Sequence, residues 1–180
     1  MVWTTRFDDV LAAAQHGSSW AWEQILGELG PPVQAYARSQ GVADAEDVLG
    51  QVLEGVVRGI DRFKGTESTF RSWVFTIAHS RIVDSHRKTA RRPEIADREV
   101  PDVASPAADV HEVSEELSQA AALKMLDRLP SKQRDVVALR VIAGLSVDET
   151  SRVLRRRPGA IRVAMHRALQ ALEQEVAAEV

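Results

Sequence analysis

Apolar residues recur at helical spacing through the first half of the chain. In DAEDVLGQVLEGVVRGI they lie three or four residues apart on one face, which is typical of an amphipathic helix packed on a core. The residues of this face are Ala45, Val48, Leu49, Val52, Leu53, Val56 and Ile60. Asp44 stands before them as a predicted N-cap. An earlier helix is predicted around Ile25 and Leu29, and Pro31 and Pro32 are expected to end it.

A third helical pattern begins near Ser68 and becomes basic toward its end. It places Phe70 and Trp73 inward and continues through SRIVDSHRKTARRP, where Pro93 forbids a further turn. Residues 93–113 hold three prolines and many acidic residues without a sustained period, which is typical of a flexible, self-repelling linker. The sequence therefore predicts one domain in residues 1–92 and a second in residues 114–180.

The second half of the chain is predicted to form short helices that are separated by glycine, proline and capping residues. One helix is expected to stop at Gly144, Ser146 and Glu149 form the pattern of a capping box that opens the next, and Pro158 suits the first position of a last helix. The buried stripe of that last helix is predicted to hold Ile161, Met165, Ala168, Leu169 and Leu172, and its exposed stripe Gly159, Arg162, Val163, His166 and Arg167. The predicted fold class is therefore all-α, with two small helical domains joined by a flexible acidic linker.

A capped helix, a turn of three or four residues and a second helix with a basic outer face form the pattern of a helix-turn-helix, although many helical hairpins share this spacing. Arg155, Arg156 and Arg157 precede the second helix, so we expect them near DNA phosphates. Arg162, His166 and Arg167 lie on its outer face, where side chains of these types can contact base edges. A merely solvated basic face is the alternative at this point.

Charge is concentrated in segments, although the net charge of the whole chain is only −3. Residues 81–92 carry five basic residues and one acidic residue, residues 93–116 carry one basic and eight acidic, and residues 131–170 carry nine basic and three acidic. Because affinity for nucleic acid depends on local neutralisation of phosphates, these two basic segments are compatible with DNA binding.

Several other classes of protein are disfavoured. The chain has no cysteine, no apolar run of the roughly 18 residues that span a bilayer, and no signal peptide at its N-terminus, so we expect a cytoplasmic protein without membrane insertion. His79 and His86 are seven residues apart and match no zinc motif. The acidic cluster at residues 44–47 has no glycine-rich phosphate loop beside it. We therefore expect no metal, no cofactor and no catalytic activity.

Three segments carry a resemblance that covers nearly the whole chain outside the linker. They are DAEDVLGQVLEGVVRGIDRFKG, STFRSWVFTIAHSRIVDSHRK and LPSKQRDVVALRVIAGLSVDETSRVLRRRPGAIRVAMHRALQAL. In this order and spacing they resemble the extracytoplasmic-function (ECF) sigma factors of bacterial RNA polymerase, in the sigma-70 family. The resemblance implies that the first domain binds the β′ clamp helices of the polymerase core and the melted minus 10 element. The second domain would bind the minus 35 element of promoter DNA and the β flap tip.

The resemblance also assigns expected roles to individual residues. Those expected to meet the polymerase are Asp44, Glu46, Asp47, Gln51 and Glu54. The loop at residues 61–67 would receive a flipped base. The residues expected at the minus 10 element are Asp61, Phe63, Lys64, Phe70, Trp73, Ser80, Arg81, Asp84, Arg87 and Lys88. Those expected at the minus 35 element are Arg155, Arg156, Arg157, Arg162, Val163, His166 and Arg167.

The chain departs from the family pattern at three positions. Ser80 stands where most members have Asn, Arg155 where a turn glycine is usual, and Ala164 where Arg is common. The first departure alters the hydrogen bonds available to a minus 10 base, and the second predicts a turn that is either differently shaped or more strained.

The function expected from the resemblance is that of a sigma factor, which directs RNA polymerase to promoters and supports promoter melting. The alternatives are a helix-turn-helix regulator that acts without polymerase and a helical scaffold or adaptor that binds no DNA. Members of the family are commonly held by an anti-sigma factor, and the sequence carries no mark that indicates one here.

Overall fold

The computed structural model describes residues 6–90 and 125–178, and the predicted linker at 93–113 and both predicted domain boundaries lie outside these ranges. The described elements are helices α1 (Phe7–Gln15), α2 (Ser19–Ser39), α3 (Ala45–Gly59), α4 (Glu67–Ala90), α5 (Ser131–Val137), α6 (Val147–Leu154) and α7 (Pro158–Ala178), with a 3₁₀ turn at Ile60–Arg62 and a π-helical turn at Ala138–Ile142. The described part contains no strand, and the predicted all-α fold is confirmed. None of its helices is both long and apolar enough to cross a membrane.

Helix α2 continues through its two prolines, so the prediction that it ends at Pro31 is wrong. A proline inside a helix costs about 3 kcal/mol, partly because the ring crowds the preceding turn. Gly30 precedes Pro31 and has no Cβ to clash with the proline ring. The turns beyond the prolines bury Val33 and Tyr36, and each buried side chain of this kind stabilises the fold by roughly 1.5–3 kcal/mol. Tertiary packing therefore offsets the local cost.

Helix α3 forms as its pattern predicts. The Asp44 carboxylate accepts a hydrogen bond from the backbone N–H of Asp47 at 2.8 Å, which confirms the predicted N-cap. Val48, Val52 and Val56 are buried against the neighbouring helices. The packed face of α3 leaves its acidic side at the surface.

One apolar cluster joins the two halves of the chain. It contains Tyr36 and Phe75 from the N-terminal helices together with Leu139, Leu145 and Val153 from the C-terminal half. A smaller cluster lies between α5 and α7 and includes Leu129 and Ala168. Helix α4 consequently packs against α3 on one side and against α6 on another, so that the two helical units form one body.

Helix α7 buries a narrower stripe than the pattern predicts. Ile161 and Ala168 are buried, and Met165 and Leu172 are half-buried. Leu169 is 44 % exposed, so the prediction that it is buried is wrong. In the described part, α5, α6 and the residues just before α5 pack on this helix, and Leu169 lies outside the packed stripe.

A polar cluster is enclosed where α5 meets α2 and α4. The Tyr36 hydroxyl and the His79 Nδ1 atom lie 2.8 Å apart, and burial raises the pKa of Tyr36 well above its ordinary value. Burial also raises the pKa of Asp135 on α5. The neighbouring groups that oppose this rise in the pKa of Asp135 are His79, Arg156, Arg134 and His86. Desolvation of the Asp135 carboxylate thus outweighs the attraction of four neighbouring groups.

We predict that Asp135→Asn stabilises the folded chain at neutral pH. Burial raises the pKa of the Asp135 carboxyl in the folded state, so stability is lost as pH rises from the unfolded-state pKa through the folded-state pKa. The unfolding free energy of the variant should exceed that of the parent by an amount that grows as pH rises from the unfolded-state pKa to the folded-state pKa of Asp135. Above the folded-state pKa the difference should level off. Denaturant unfolding at several pH values measures the difference. Asp61→Asn, on an exposed turn, is the control. Its unfolding free energy should stay within about 0.5 kcal/mol of that of the parent at every pH. A loss of stability in Asp135→Asn at neutral pH would contradict the prediction.

The turn between α6 and α7 carries the expected strain. Arg155 has φ 51° and ψ 45°, and no other non-glycine residue of the described ranges has a positive φ. A left-handed conformation costs an L-residue with a Cβ roughly 1–2 kcal/mol, which is why glycine is usual at the end of a helix.

Arg155→Gly should therefore raise the unfolding free energy by about 0.5–1 kcal/mol, because the relief of strain exceeds the extra freedom of the unfolded chain. Arg157→Gly is the control, because Arg157 lies two residues on and has no positive φ. Its unfolding free energy should fall by about 0.4–1 kcal/mol, since glycine gives the unfolded chain more freedom. Equal losses in the two variants, measured by chemical unfolding, would show that Arg155 is not strained.

Candidate nucleic-acid interface

Helices α6 and α7 form a helix-turn-helix with a capped first helix. The Ser146 hydroxyl accepts a hydrogen bond from the Glu149 N–H at 3.2 Å, and the Glu149 carboxylate accepts one from the Ser146 N–H at 2.6 Å. This is the predicted capping box. Residues 155–157 connect the helices, and Pro158 is the first residue of α7, as predicted.

The outer face of α7 is open and positively charged. Arg162, Val163, His166 and Arg167 are all exposed, and Val163 reaches 51 %. The two arginines and the histidine make no side-chain hydrogen bond or ion pair with other described residues. Their donor groups are therefore available to an external ligand, and arginine suits the acceptor edge of guanine.

The three arginines of the turn differ in their surroundings. Arg155 and Arg157 are exposed, whereas Arg156 is half-buried. The Arg156 side chain approaches the Lys132 carbonyl at 3.5 Å and lies near Asp135. The Ser151 hydroxyl donates a hydrogen bond to the Arg156 carbonyl, which ties the turn to α6. Arg155 and Arg157 are thus the freer cations of this turn.

The loop at residues 61–67 lies over a cluster of aromatic rings. The Phe63 ring stacks on Trp73 with centroids 5.2 Å apart and meets Phe70 edge-on at 5.2 Å. Asp61 and Lys64 are exposed, and neither forms an ion pair or side-chain hydrogen bond with another described residue. Phe70 is 0 % exposed, which confirms its predicted inward placement, whereas its contact with the minus 10 element stays a prediction. The Phe70 ring supports the loop from beneath.

The outward residues of α4 border two clefts. Ser80, Arg87 and Lys88 are exposed, and Asp84 is half-buried with an oxygen 3.4 Å from Arg87 Nη1. Arg81 is half-buried, and its Nε is enclosed without a hydrogen-bond partner among the described residues. One cleft separates the end of α4 from Asp44, Asp47 and Gln51. The other places Ser80, Asp84 and Arg87 opposite Arg155 of the helix-turn-helix.

The five residues expected to meet polymerase all lie along α3 or at its cap. Glu46 and Glu54 are exposed, and Glu54 forms a 3.0 Å ion pair with Arg58 one turn later. Gln51 donates a hydrogen bond to the Asp47 carboxylate at 2.7 Å. The acidic surface is therefore continuous over the first turns of α3 and partly neutralised near its end.

The residues that join the two halves leave no pattern in the sequence. Arg71 on α4 lies 3.8 Å from the Glu149 carboxylate, and the two side chains are only 13 % and 5 % exposed. Arg71 also donates hydrogen bonds to the carbonyls of Ala143 and Gly144, at 3.4 and 3.1 Å. Glu149 was identifiable only as a capping residue. No local pattern relates Arg71 to partners more than seventy positions away.

A second arginine makes a similar bridge in the opposite direction. Arg152 on α6 donates hydrogen bonds to the Ser72 hydroxyl at 2.6 Å and to the Ser68 carbonyl at 3.1 Å, both on α4. The start of α4 is therefore held against the helix-turn-helix by two arginines, one from each half.

The described residues contain no cluster of three or more histidine, aspartate or glutamate side chains that could hold a metal ion. The polar groups that the structure assembles are cations on exposed helix faces and carboxylates at helix starts. Such an arrangement binds charged macromolecular surfaces.

Two family models match the chain. Residues 27–92 match sigma-70 region 2, and residues 119–172 match sigma-70 region 4. The first match covers most of α2 together with α3 and α4, and the second covers the helix-turn-helix. Helix α1 lies outside both matches.

Curated relatives and solved structures agree with these matches. The ECF RNA polymerase sigma factor SigD of Mycobacterium tuberculosis is 31% identical, over 96% of this chain and 85% of that protein. The ECF RNA polymerase sigma factor ShbA of Streptomyces griseus is 33% identical, over 94% of each chain. The fold is similar to that of CnrH, solved with the cytosolic domain of CnrY (TM-score 0.71, 23% identity, 95% of this chain and 97% of that one).

A second similar fold is that of the sigma factor RpoE from Bartonella quintana, solved with the anti-sigma factor NepR. The TM-score is 0.65 at 21% identity, over 87% of this chain and 96% of that one. With both regions matched and full-length relatives above 30% identity, the chain belongs to the ECF RNA polymerase sigma factors of the sigma-70 family, which direct RNA polymerase to promoters.

Proposed function

We propose that the two helical units of this sigma factor divide promoter recognition between them. The C-terminal unit would bind the minus 35 element through α7, and the N-terminal unit would bind the melted minus 10 element through α4 and the loop at residues 61–67. The observation that carries the first assignment is the exposed face of α7, where Arg162, His166 and Arg167 lack partners among the described residues.

The face of α7 separates into two kinds of contact. Arg162, Val163, His166 and Arg167 point away from the packed side of the helix, so we assign them to base edges. Arg155 and Arg157 lie before the helix, where side chains meet phosphates. Arg156 has less freedom because its side chain is half-buried beside α5.

The minus 10 element would meet exposed groups at both ends of α4. Asp61 and Lys64 at the loop would contact a flipped base, with Phe63 and Trp73 beneath them. Ser80, Arg81, Asp84, Arg87 and Lys88 would follow the displaced strand. Extruding a base costs a few kcal/mol, which stacking and phosphate contacts at these residues would offset.

The acidic start of α3 is assigned to polymerase. Asp44, Glu46, Asp47, Gln51 and Glu54 would bind the basic β′ clamp helices, and the C-terminal unit would bind the β flap tip. We assign the chain no catalytic role and no cofactor, and we place its action in the cytoplasm with polymerase. An anti-sigma partner is proposed by analogy with the relatives solved in such complexes.

Binding both promoter elements requires the two units to separate. The elements lie about 25 base pairs apart, which is about 85 Å of duplex. In the structure, residues of the two proposed DNA surfaces border one cleft. The 34 residues from 91 to 124 could reach about 115 Å when fully extended. The described arrangement is therefore assigned to the protein before it binds a promoter.

We predict different effects for two arginines of the C-terminal unit. Arg162→Ala should cost about 1–3 kcal/mol on the preferred promoter and relax one minus 35 position, because a base contact is lost. Arg157→Ala should weaken binding to all sequences and lower the salt slope by about one, because a phosphate contact from an exposed side chain is lost. Competition binding of the reconstituted holoenzyme to promoters with single base changes measures both effects. Equal losses on every promoter for both variants would contradict the division of roles.

The same preparation tests the proposed function itself. The chain should co-purify with core polymerase and support run-off transcription from its promoters. Binding of the free chain to a duplex operator, with no transcription when core is added, would instead indicate a regulator that acts without polymerase.

A further inference from the structure

Helix α1 contacts the loop that is proposed to capture a flipped base. The Gln15 amide nitrogen, at the last position of α1, donates one hydrogen bond to the Ile60 carbonyl at 2.8 Å and another to the Phe63 carbonyl at 3.0 Å. Both donors of one amide are thereby used on the 3₁₀ turn at residues 60–62 and the residue that follows it.

These two carbonyls belong to the point where the chain leaves α3. The Ile60 carbonyl accepts from the Phe63 N–H at 3.0 Å, and Phe63 is extended, with φ −69° and ψ 130°. Residues 64–66 that follow are not helical. A helical end leaves carbonyls without intrahelical donors, so an external amide at this place fixes the backbone direction with which the loop starts.

Aromatic packing fixes the same turn from the other side. Phe7 of α1 packs on Phe70 with centroids 5.4 Å apart, and Phe63 stacks on Trp73. A Cβ added at Gly59 would lie 2.6 Å from a carbon of the Trp73 ring, so the approach is close. The turn is held between α1 and α4, whereas the Asp61 and Lys64 side chains remain free of partners among the described residues.

We propose that Gln15 is a positioning residue for base capture. It fixes the backbone of residues 60–63 and thereby the direction in which Asp61 and Lys64 project. A loop already in its binding conformation loses less conformational freedom when a base enters it. The inference rests on the proposed function of the loop at residues 61–67. It gives a role at the minus 10 element to α1, which lies outside the match to sigma-70 region 2.

Replacement of Gln15 by methionine tests this role, because methionine has a similar length and no donor. Gln34→Met is the matched control, since Gln34 is half-buried on α2 and has no side-chain hydrogen bond to other described residues. Gln15→Glu is a second variant, whose ionised side chain cannot donate to the two carbonyls. Each full-length variant is assembled with core polymerase and scored for promoter opening by permanganate reactivity of unpaired thymines.

The decisive readout is base preference within the minus 10 element. We expect both Gln15 variants to open the preferred promoter about tenfold more slowly, which corresponds to about 1.4 kcal/mol and is typical of the loss of hydrogen bonds that hold a part-buried carbonyl. At one minus 10 position, the ratio of opening rates between the preferred base and the other bases should fall to about two or less. Preferences at the other positions, binding to core and the behaviour of Gln34→Met should stay as in the parent.

Two outcomes would overturn the proposal in different ways. If the parent shows a base preference that neither Gln15 variant alters, or if the variants lose all preferences equally, Gln15 does not position the loop and the proposed function stands. If the parent has no base preference in the minus 10 element and Lys64→Ala opens promoters normally, the loop does not capture a base and the proposed function fails together with the inference.

Discussion

The contact of Arg71 with Glu149 in the first turn of α6, and with the two carbonyls just before that helix, fixes how the two units are aligned. Its guanidinium meets a nearly buried carboxylate and two backbone carbonyls of the other unit, while its Nε has no partner among the described residues. Transfer of such a pair out of water costs about as much as the pair recovers, whereas removal of one partner costs about 3–5 kcal/mol. The pair therefore fixes the alignment of the units, whereas the apolar cluster that joins them supplies the favourable burial.

Helix α4 carries both the contact between the two units and the proposed surface for the minus 10 element. Its buried side completes the N-terminal core, its first turns hold Arg71 and the serines bound by Arg152, and its far end carries the proposed strand-binding cations. A helix packed on α6 cannot offer all of its surface to a promoter. On the proposed function, contacts between the two units and contacts with DNA would therefore compete for the same helix.

The sequence predicted features that depend on near neighbours. The Asp44 cap, the capping box at Ser146 and the exposed face of α7 each follow from residues a few positions apart. The failures have long-range causes: α2 continues past Pro31 because later turns are buried, and Leu169 is exposed because no described helix covers it. Gln15, Arg71 and Asp135 could not be found, since their partners are distant in the sequence and polar contacts leave no periodic pattern.

The separation of the two units is tested most directly by a distance between them. The chain has no cysteine, so Asp9→Cys on α1 and Gln170→Cys on α7, both at exposed positions, give a doubly labelled protein for energy transfer. We expect high transfer in the free chain and low transfer in the holoenzyme on promoter DNA, where the bound elements lie about 85 Å apart. Equal transfer in the two states would contradict the account.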